Sequence, residues 1–458
     1  MKAIHSGRPT WLLSALAAGL SASLLLSGCG AAGGGNNTSI SKQHESSKNT
    51  GPNANISKDT ETRTDKGSAS PPTTAAKYNP ENYDTRLADA QLAFAFDLYG
   101  QISQSSSAAA NDFLSPLSIA TALAMTANGA GGDTLTAMNK VLHMDGLDTP
   151  ARNHGNEVLM DLLTHSGKEI EVSIANSLWA KEGLEFNPDF METNKTFYNA
   201  AVDSLDFQDA QAAEQINDWV RQQTRGKIDS IIDHEIDPNT ILFLLNAIYF
   251  KASWAGAFRE DLTAIKPFTN AQATEQQVPM MFKDGKFDYL EEDGFQAVRI
   301  PYNGGKMSML VFLPDANREL DEFLNGLTPK QWNNWLNKFE RTSGQLTLPK
   351  FKIEYEITLN EALKALGMEQ AFDLQNADFT PMIDRGTKVA IKEMRHKTFI
   401  NVDEKGTEAA AVTSVEMEEQ SASSNPFVME VNRPFFFAIH DQRTSSILFM
   451  GAVRQIGE

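Results

Sequence analysis

The sequence predicts an α+β fold, because strand-like apolar runs and helical segments follow one another without regular βαβ alternation. Residues 241–250, ILFLLNAIYF, form an unbroken apolar run of strand length, which is typical of a strand buried on both faces. Further strand-like runs occupy 169–180, 307–314, 345–357 and 388–402, and the chain closes with a hydrophobic hairpin joined at 442–444.

Several helices are predicted between these strands. An apolar-rich helix starts at Thr85 and ends near Gly100, and a second segment, 216–232, is helical with a turn at Gly226. Thr358 and Glu361 have the capping-box spacing for a helix that Gly367 closes.

The helix LSIATALAMTANG is apolar on nearly every side, so it should be buried rather than lie on the surface. Ser115 suits its N-cap, Pro116 its first position, and Gly129 or Gly131 its exit.

The N-terminus has the layout of an exported lipoprotein. Lys2 and Arg8 precede an apolar run from Trp11 to Leu26, too short for a membrane-spanning helix. Leu26-Ser27-Gly28-Cys29 resembles the bacterial lipobox, which implies a signal peptide over 1–28 and lipidation of Cys29. The alternative is an ordinary secretory signal with an incidental cysteine. Cys29 is the only cysteine, so no intramolecular disulfide is possible.

Residues 29–82 are predicted to be a lipid-anchored, disordered tether. From Gly30 to Ala76 the chain contains no Phe, Trp, Tyr, Leu or Val, so it buries too little apolar area to offset its ordering entropy. A flexible coil of about 50 residues would hold the domain on the order of 40 Å from the membrane. The absence of Asp after Cys29 indicates the outer membrane if the host has two membranes.

The stretch from Asp403 to Pro434 allows two interpretations. Thr407 could cap a short helix through Gln420, since the residue types there favour helix. At period two, however, small or apolar residues from Thr407 to Met417 share one face, and the three glutamates from Glu408 to Glu418 share the other. That pattern is typical of a strand with one buried face, so an exposed loop could also enter a sheet.

Three motifs resemble segments of the serpins, a family of suicide protease inhibitors. EKGTEAAAVT resembles the serpin hinge, NDFLSPLSIATALAM the segment beneath the main sheet, and LLNAIYFKASWAGAF a central strand and its end. The resemblance spans about Asp84 to Ile456. It implies a serpin domain over 83–458, with a large mixed main sheet, additional sheets, a helical subdomain and an exposed reactive loop at about 404–430.

The resemblance also implies site residues. It implies a hinge, a polar "shutter" under two strands that must part, and a "breach" where the loop enters. The hinge comprises Glu404, Gly406, Thr407, Glu408, Ala409, Ala410, Ala411, Val412 and Thr413. The shutter comprises Ser115, Ser118, Asn246 and His396, and the breach residue is Trp254. Taken alone, His396 would be a surface histidine on a strand, and Trp254 a core aromatic.

The reactive bond has several candidates. Counting from Gly406 at the family's usual hinge length places the bond between Gln420 and Ser421. Counting back from Pro434 moves it to Ser423-Ser424, and Met417-Glu418 or Glu419-Gln420 remain open. Each choice would select a different protease.

Composition and motifs exclude other classes of function. The net charge of −19 argues against nucleic acid as a partner. The sequence has no GxSxG, HExxH or glycine-rich phosphate loop, and its histidines lack metal-ligand spacing, so we expect no enzyme activity, cofactor or metal. The expected partner is a protease, first a serine protease and otherwise a cysteine protease, met by a monomer outside the cytoplasm. The alternative is a non-inhibitory serpin-fold binding protein or a surface lipoprotein.

Overall fold

The computed structural model describes residues 75–457, except 106, 108, 233–235, 238–239, 384–387 and 409–425. The α-helices in these ranges are α1 (Thr85–Ser105), α2 (Pro116–Ala127), α3 (Gly132–Val141), α4 (Thr149–Thr164), α5 (Pro188–Tyr198), α6 (Ala212–Gln223), α7 (Leu320–Asn325), α8 (Pro329–Leu336) and α9 (Asn360–Leu363).

The strands alternate irregularly with the helices. They are β1 (Asp112–Leu114), β2 (Ile170–Lys181), β3 (Ala201–Leu205), β4 (Leu242–Ser253), β5 (Arg259–Thr269), β6 (Glu275–Glu292), β7 (Phe295–Pro301), β8 (Met307–Pro314), β9 (Glu340–Pro349), β10 (Phe351–Thr358), β11 (Glu393–Val402), β12 (Gly406–Thr407), β13 (Phe427–Glu430), β14 (Phe435–Asp441) and β15 (Ser446–Val453).

Two sheets organise these strands. The main sheet has the order β10-β11-β12-β4-β2-β3, and it is mixed because β11 pairs with β4, and β2 with β3, in parallel. The second sheet runs β1-β15-β14-β8-β7-β6-β9-β13, with β5 added on β6. The predicted α+β class, with a large mixed sheet and a further sheet, is confirmed.

The helix α2 lies in the core between the sheets. All twelve of its residues are buried, and it packs against β2, β4 and β15. Ser115 is its N-cap, accepting a hydrogen bond from the backbone N–H of Ser118, and Pro116 is its first residue. The prediction of a buried helix with this start is confirmed.

The segment 216–232 has the predicted turn. It is helical through Gln223 and turns at Arg225 and Gly226, which have positive φ. Beyond the turn, the backbone N–H groups of Ile231 and Ile232 donate to the Asn217 side chain.

The capping-box prediction at Thr358 is wrong. Thr358 ends β10, and its hydroxyl bonds to Glu393 on the neighbouring strand. The helix α9 starts at Asn360 and continues as a π-helical turn, Lys364–Met368, in which Gly367 has φ +112°. Cross-strand pairing outweighs the local capping option here.

The N-terminal predictions concern residues that are mostly outside the described ranges. The signal peptide and Cys29 lie there entirely. The end of the predicted tether does not: Pro80–Asn82 form a 3₁₀ helix, and the backbone N–H of Tyr78 donates to Asp161 on α4. Among the described residues, no helix is long and apolar enough to cross a membrane.

A buried ion pair links β1 to the residue that follows its neighbouring strand β15. Arg454, just after β15, pairs with Asp112 of β1 at 2.5 Å, and both side chains are almost completely buried. The hydroxyl of Tyr99 and the backbone N–H of Ala452 also donate to Asp112. Burial raises the pKa of the Asp112 carboxyl, and the positive charge of Arg454 partly offsets that rise.

Arg454→Met should therefore destabilise the fold by about 3–5 kcal/mol, because it leaves Asp112 buried without a counter-charge. The check is the urea midpoint of unfolding. Arg86→Met is the matched control, since Arg86 pairs with Asp84 in an exposed position, and it should leave the midpoint unchanged. Equal effects of the two substitutions would contradict the assignment of Arg454 as the stabilising counter-charge of Asp112.

Candidate functional site: the predicted hinge and a buried polar network

The predicted hinge begins inside the main sheet. Gly406 and Thr407 form β12, which lies between β11 and β4 with Thr407 opposite both Val402 and Ala252. Further along, β11 and β4 pair directly, from Glu393 opposite Phe243 to Thr398 opposite Ile248. Gly406 and Thr407 thus lie between β11 and β4 at one end of these strands, and at the other end the two strands pair directly. Thr407 is a strand residue, which is at variance with its interpretation as a helix cap.

Gly406 is required by a close backbone approach. A Cβ atom at this position would lie 2.1 Å from the carbonyl oxygen of Ala252, and the residue has φ +156°. Any side chain would therefore push the hinge away from β4.

Thr407 is anchored through its side chain. It is fully buried, and its hydroxyl lies 2.7 Å from that of Tyr302. The Tyr302 ring stacks on Trp254 with centroids 4.6 Å apart, and burial raises the pKa of the Tyr302 hydroxyl.

Trp254 holds the turn at the start of the predicted hinge. Its indole N–H donates to the carbonyl oxygen of Asp403 at 3.0 Å, and its backbone N–H donates to that of Lys405 at 2.9 Å. The predicted breach residue is thus buried and lies directly beside the point of entry.

Glu404 fixes the same turn from the other side. Its carboxylate accepts a hydrogen bond from Thr263 at 2.8 Å and pairs with Lys350 at 2.9 Å. Burial opposes ionisation of Glu404, but the Lys350 and Thr263 hydrogen bonds outweigh it and hold the pKa of the carboxyl below its usual value. Glu404 is therefore ionised and paired at neutral pH.

Glu408 directly follows β12. Its backbone has φ +54°, and its side chain is 5% exposed and pairs with Lys227 at 3.3 Å. Burial, then the Glu408 carboxylate, raises the pKa of the nearby Tyr249 hydroxyl. A non-glycine residue in the left-handed region is strained, so Glu408 would relax if the strand continued past it.

The four predicted shutter residues form one hydrogen-bonded chain beneath the main sheet. Nδ1 of His396 lies 2.6 Å from Oδ1 of Asn246, and Nε2 accepts the backbone N–H of Ser115 at 3.0 Å. The Asn246 amide N–H donates to the Ser118 hydroxyl and backbone oxygen. Because Nε2 is an acceptor, Nδ1 carries the proton and donates to Asn246.

His396 is held neutral. Burial lowers the pKa of its imidazole to about 3, against a smaller opposing contribution from Asn246. It is completely buried, so the interpretation of a surface histidine is wrong. Protonation would place a proton on Nε2 and thereby break the hydrogen bond that Nε2 accepts from the backbone N–H of Ser115.

The network has a fifth member that the sequence motifs do not single out, Asn176 on β2. It lies directly opposite Asn246, and its Oδ1 accepts the Asn246 amide N–H at 2.6 Å. Its own Nδ2 is buried with no partner among the described residues. The signal that could have identified it is a polar residue in the centre of EIEVSIANSLWA, the same anomaly that distinguishes Asn246.

The other predicted residues lie outside the described ranges. They are the hinge residues Ala409, Ala410, Ala411, Val412 and Thr413 and the reactive-bond candidates Met417, Glu418, Glu419, Gln420, Ser421, Ser423 and Ser424. Within the described ranges, no group of three or more His, Cys, Asp or Glu side chains is placed to hold a metal ion.

The buried histidines predict a specific acid sensitivity. Burial also lowers the pKa of His440 to about 4. Since an unfolded histidine titrates near 6.5, the unfolded chain binds more protons than the native state below that pH. The free energy of unfolding should therefore fall as the pH drops from about 6.5, by up to about 1.4 kcal/mol per pH unit for each histidine, and level off near 3–4.

His396→Gln should remove about half of that pH dependence between pH 6.5 and 4. The measurement is the urea midpoint as a function of pH, with the exposed His154 replaced by Gln as the control. An unchanged slope in His396→Gln would refute the assignment of a neutral, buried imidazole.

Comparison with known proteins agrees with this geometry. The family model described as "Serpin (serine protease inhibitor)" matches residues 89–456. An uncharacterised serpin-like protein of Thermococcus kodakarensis is 35% identical over 384 residues, covering 83% of this chain and 88% of the relative. Human Serpin B8 is 35% identical over 375 residues, covering 80% and 98%.

Solved structures give the same result. The native state of the thermophilic serpin tengpin has a TM-score of 0.76 and 34% identity, covering 82% of this chain and 95% of that one. Human thyroxine-binding globulin with bound thyroxine has a TM-score of 0.75 and 30% identity, covering 81% and 99%. The motifs, the sheet topology and the matched length agree, and the chain belongs to the serpin family.

Proposed function

We propose that this serpin is a suicide-type inhibitor of proteases, most of all serine proteases, with cysteine proteases as the second class. The observation that carries the proposal is the position of β12: the hinge already occupies two strand positions between β11 and β4. A loop that has begun to enter the sheet needs only to be released at its far end to continue.

The mechanism begins with attack on the reactive bond. The protease nucleophile adds to the carbonyl carbon, the peptide C–N bond breaks, and the amine leaves with a proton from the protease. The new acyl-enzyme ties the protease to the hinge side of the loop. The hinge then inserts as a central strand and drags the protease away before water can hydrolyse the ester.

The register of β12 predicts where the inserted strand comes to lie. Thr407 is opposite Ala252 and Val402, so continuation of both antiparallel ladders places Thr413 opposite Asn246 and His396. These are the two residues whose side chains now bond to each other across β4 and β11. Insertion must break that bond, and the Thr413 hydroxyl would replace it for one or both partners.

The inward face of the entering strand supports easy insertion. Thr407 is buried, and residues 409, 411 and 413 would follow it on the same face at period two. Ala409, Ala411 and Thr413 are small and uncharged, so none would place a charge between the sheet and α2.

The cellular setting is part of the proposal. Cys29 would carry the lipid, and residues 29–82 would tether the inhibitor outside the cytoplasm, at the outer membrane if the host has one. It would act as a monomer. The second candidate function is a non-inhibitory binding protein, as the thyroxine complex of a relative illustrates for that protein; the small residues of this hinge favour inhibition.

A panel of proteases tests the proposal. The protein is incubated with serine proteases and a papain-like protease, the mixtures are run on denaturing gels, and the released C-terminal peptide is weighed. We expect a covalent complex with at least one protease, and the peptide mass identifies the reactive bond. Loop cleavage without complex, and without a rise in the unfolding temperature of the cleaved form, would favour the binding protein.

Thr407→Arg should convert the inhibitor into a substrate. An arginine cannot occupy the buried site beside Tyr302, so insertion would stall at its first step while cleavage proceeds. The ratio of cleaved protein to covalent complex should rise at least about tenfold. Thr407→Ser keeps the hydroxyl and is the control. Unchanged complex formation by Thr407→Arg would refute the mechanism.

Thr413→Val should weaken the cleaved, inserted form while leaving the intact form unaffected. The valine fills the same volume but leaves Asn246 and His396 without a replacement partner, at a cost of about 1–3 kcal/mol. The readout is the urea midpoint of loop-cleaved protein. Ser414→Ala, which removes a hydroxyl from the outward face, is the control. Equal midpoints for Thr413→Val and the parent would contradict the proposed register.

A further inference from the structure

A cavity of about 230 Å³ lies on the face of the main sheet opposite α2. One wall consists of residues 227–230, which follow α6, and the other includes Lys397 and Phe399 of β11. Side chains alternate between the two faces of a strand, and His396 bonds to the N-cap of α2, so its neighbour Lys397 points to the opposite side. Asp229 is exposed, so small molecules can reach the cavity.

The two walls belong to different parts of the main sheet. Ile228, on the first wall, is buried in an apolar cluster with side chains of α6, β2 and β4. Arg225, just before this wall, pairs with Glu171 of β2. A hydrogen bond also reaches β11, since Arg395 donates to the backbone oxygen of Ile231 at 3.1 Å. The cavity therefore spans the join between β4 and β11.

Each wall offers one charged group to a ligand. Asp229, on the first wall, forms no ion pair within the described part of the chain. On the other wall, Lys397 pairs with Glu356 at 3.0 Å, and Arg395 pairs with the same carboxylate at 3.3 Å. A lysine ammonium has three N–H donors, so Lys397 can bind a second anion.

The other charged residues of the lining are already paired. Lys227 pairs with Glu408 at 3.3 Å, and Glu354 pairs with Lys352 at 2.8 Å. A ligand that matches the remaining groups has one positive and one negative end. The cavity is smaller than the ~300–1,000 Å³ pockets that hold drug-sized ligands, so its ligand is small. A free amino acid has both properties, and an aromatic side chain would also pack on the Phe399 ring.

We propose that this cavity binds a free aromatic amino acid, with its ammonium group at Asp229 and its carboxylate at Lys397. The bound amino acid links the two walls. Insertion of a strand between β4 and β11 would move these strands apart by about 4.8 Å and separate the walls. The ligand therefore favours the intact form and opposes insertion. This consequence rests on the inhibitory function proposed above, but the binding itself does not.

Calorimetric titration of the intact full chain with L-phenylalanine tests the binding. N-acetyl-phenylalanine, which lacks the ammonium charge, and phenylalanine amide, which lacks the carboxylate, are the matched controls. We expect saturable binding of phenylalanine at one site, and binding at least about fivefold weaker for each control ligand, because each loses one ion pair. No saturable binding at millimolar phenylalanine, or equal binding of the control ligands, would overturn the proposal.

Two substitutions test the position of the site. Asp229→Asn and Lys397→Met should each weaken phenylalanine binding about fivefold, since each removes one of the two ion pairs. Lys392→Met is the matched control, because Lys392 is exposed just before β11 and lies outside the cavity lining. Affinity that is unchanged in both Asp229→Asn and Lys397→Met would overturn the assignment.

Loop-cleaved protein separates this proposal from the inhibitory function. If cleavage raises the unfolding temperature, the loop is inserted, and phenylalanine should bind at least about tenfold more weakly than to the intact form. Unchanged affinity in that inserted form would overturn the link between the cavity and insertion. If cleavage does not raise the unfolding temperature, the inhibitory function fails, and unchanged phenylalanine binding then supports the cavity as a site of its own.

Discussion

The structure depends on a strand position that is only partly filled. β11 and β4 pair directly over six residues and are then separated by Gly406 and Thr407. Each residue that enters opposite Phe243–Ile248 must break one existing pairing but gains two, one with each neighbouring strand. A fully inserted sheet would therefore have more backbone hydrogen bonds than the present one, and insertion would be favourable for that reason.

In the proposed mechanism, a small number of polar contacts restrain insertion. His396 and Asn246 join β11 to β4 under the closed part of the gap, and the same network reaches α2 through Ser115 and Ser118. At the open end, the hinge is bonded to Tyr302 and paired with Lys227. Buried hydrogen bonds are costly to leave unmade, so they oppose strand separation until new partners arrive.

The site residues that can be predicted from the sequence are those that differ in residue type from their own segment or mark the start of a helix. Asn246 interrupts an apolar strand, and Ser115-Pro116 marks a helix start, so both are identifiable from their own segments. Tyr302 and Lys227 are not, because nothing in their segments distinguishes them from ordinary surface or core residues. Their roles come from long-range pairing, which brings Tyr302 to Thr407 across 105 positions of sequence.

The wrong prediction at Thr358 has a tertiary cause. Thr358 has the local spacing of a helix cap, but its cross-strand partner Arg395 keeps it in β10. Local propensity decided this prediction, and tertiary pairing decided the structure. Ile228, Ile231 and Ile232 likewise owe their burial to the main sheet, and the Asn217 side chain bonds to the backbone of Ile231 and Ile232.

Hydrogen exchange of the loop before and after cleavage tests the central claim most directly. After cleavage at the reactive bond, the amides of residues 409–417 should become as protected as those of β4 and β11, because both sides of the new strand are paired. In the intact protein the same amides should exchange much faster, since the strands pair directly there. If cleavage leaves their exchange rates unchanged, the loop does not enter the sheet and the proposed mechanism is wrong.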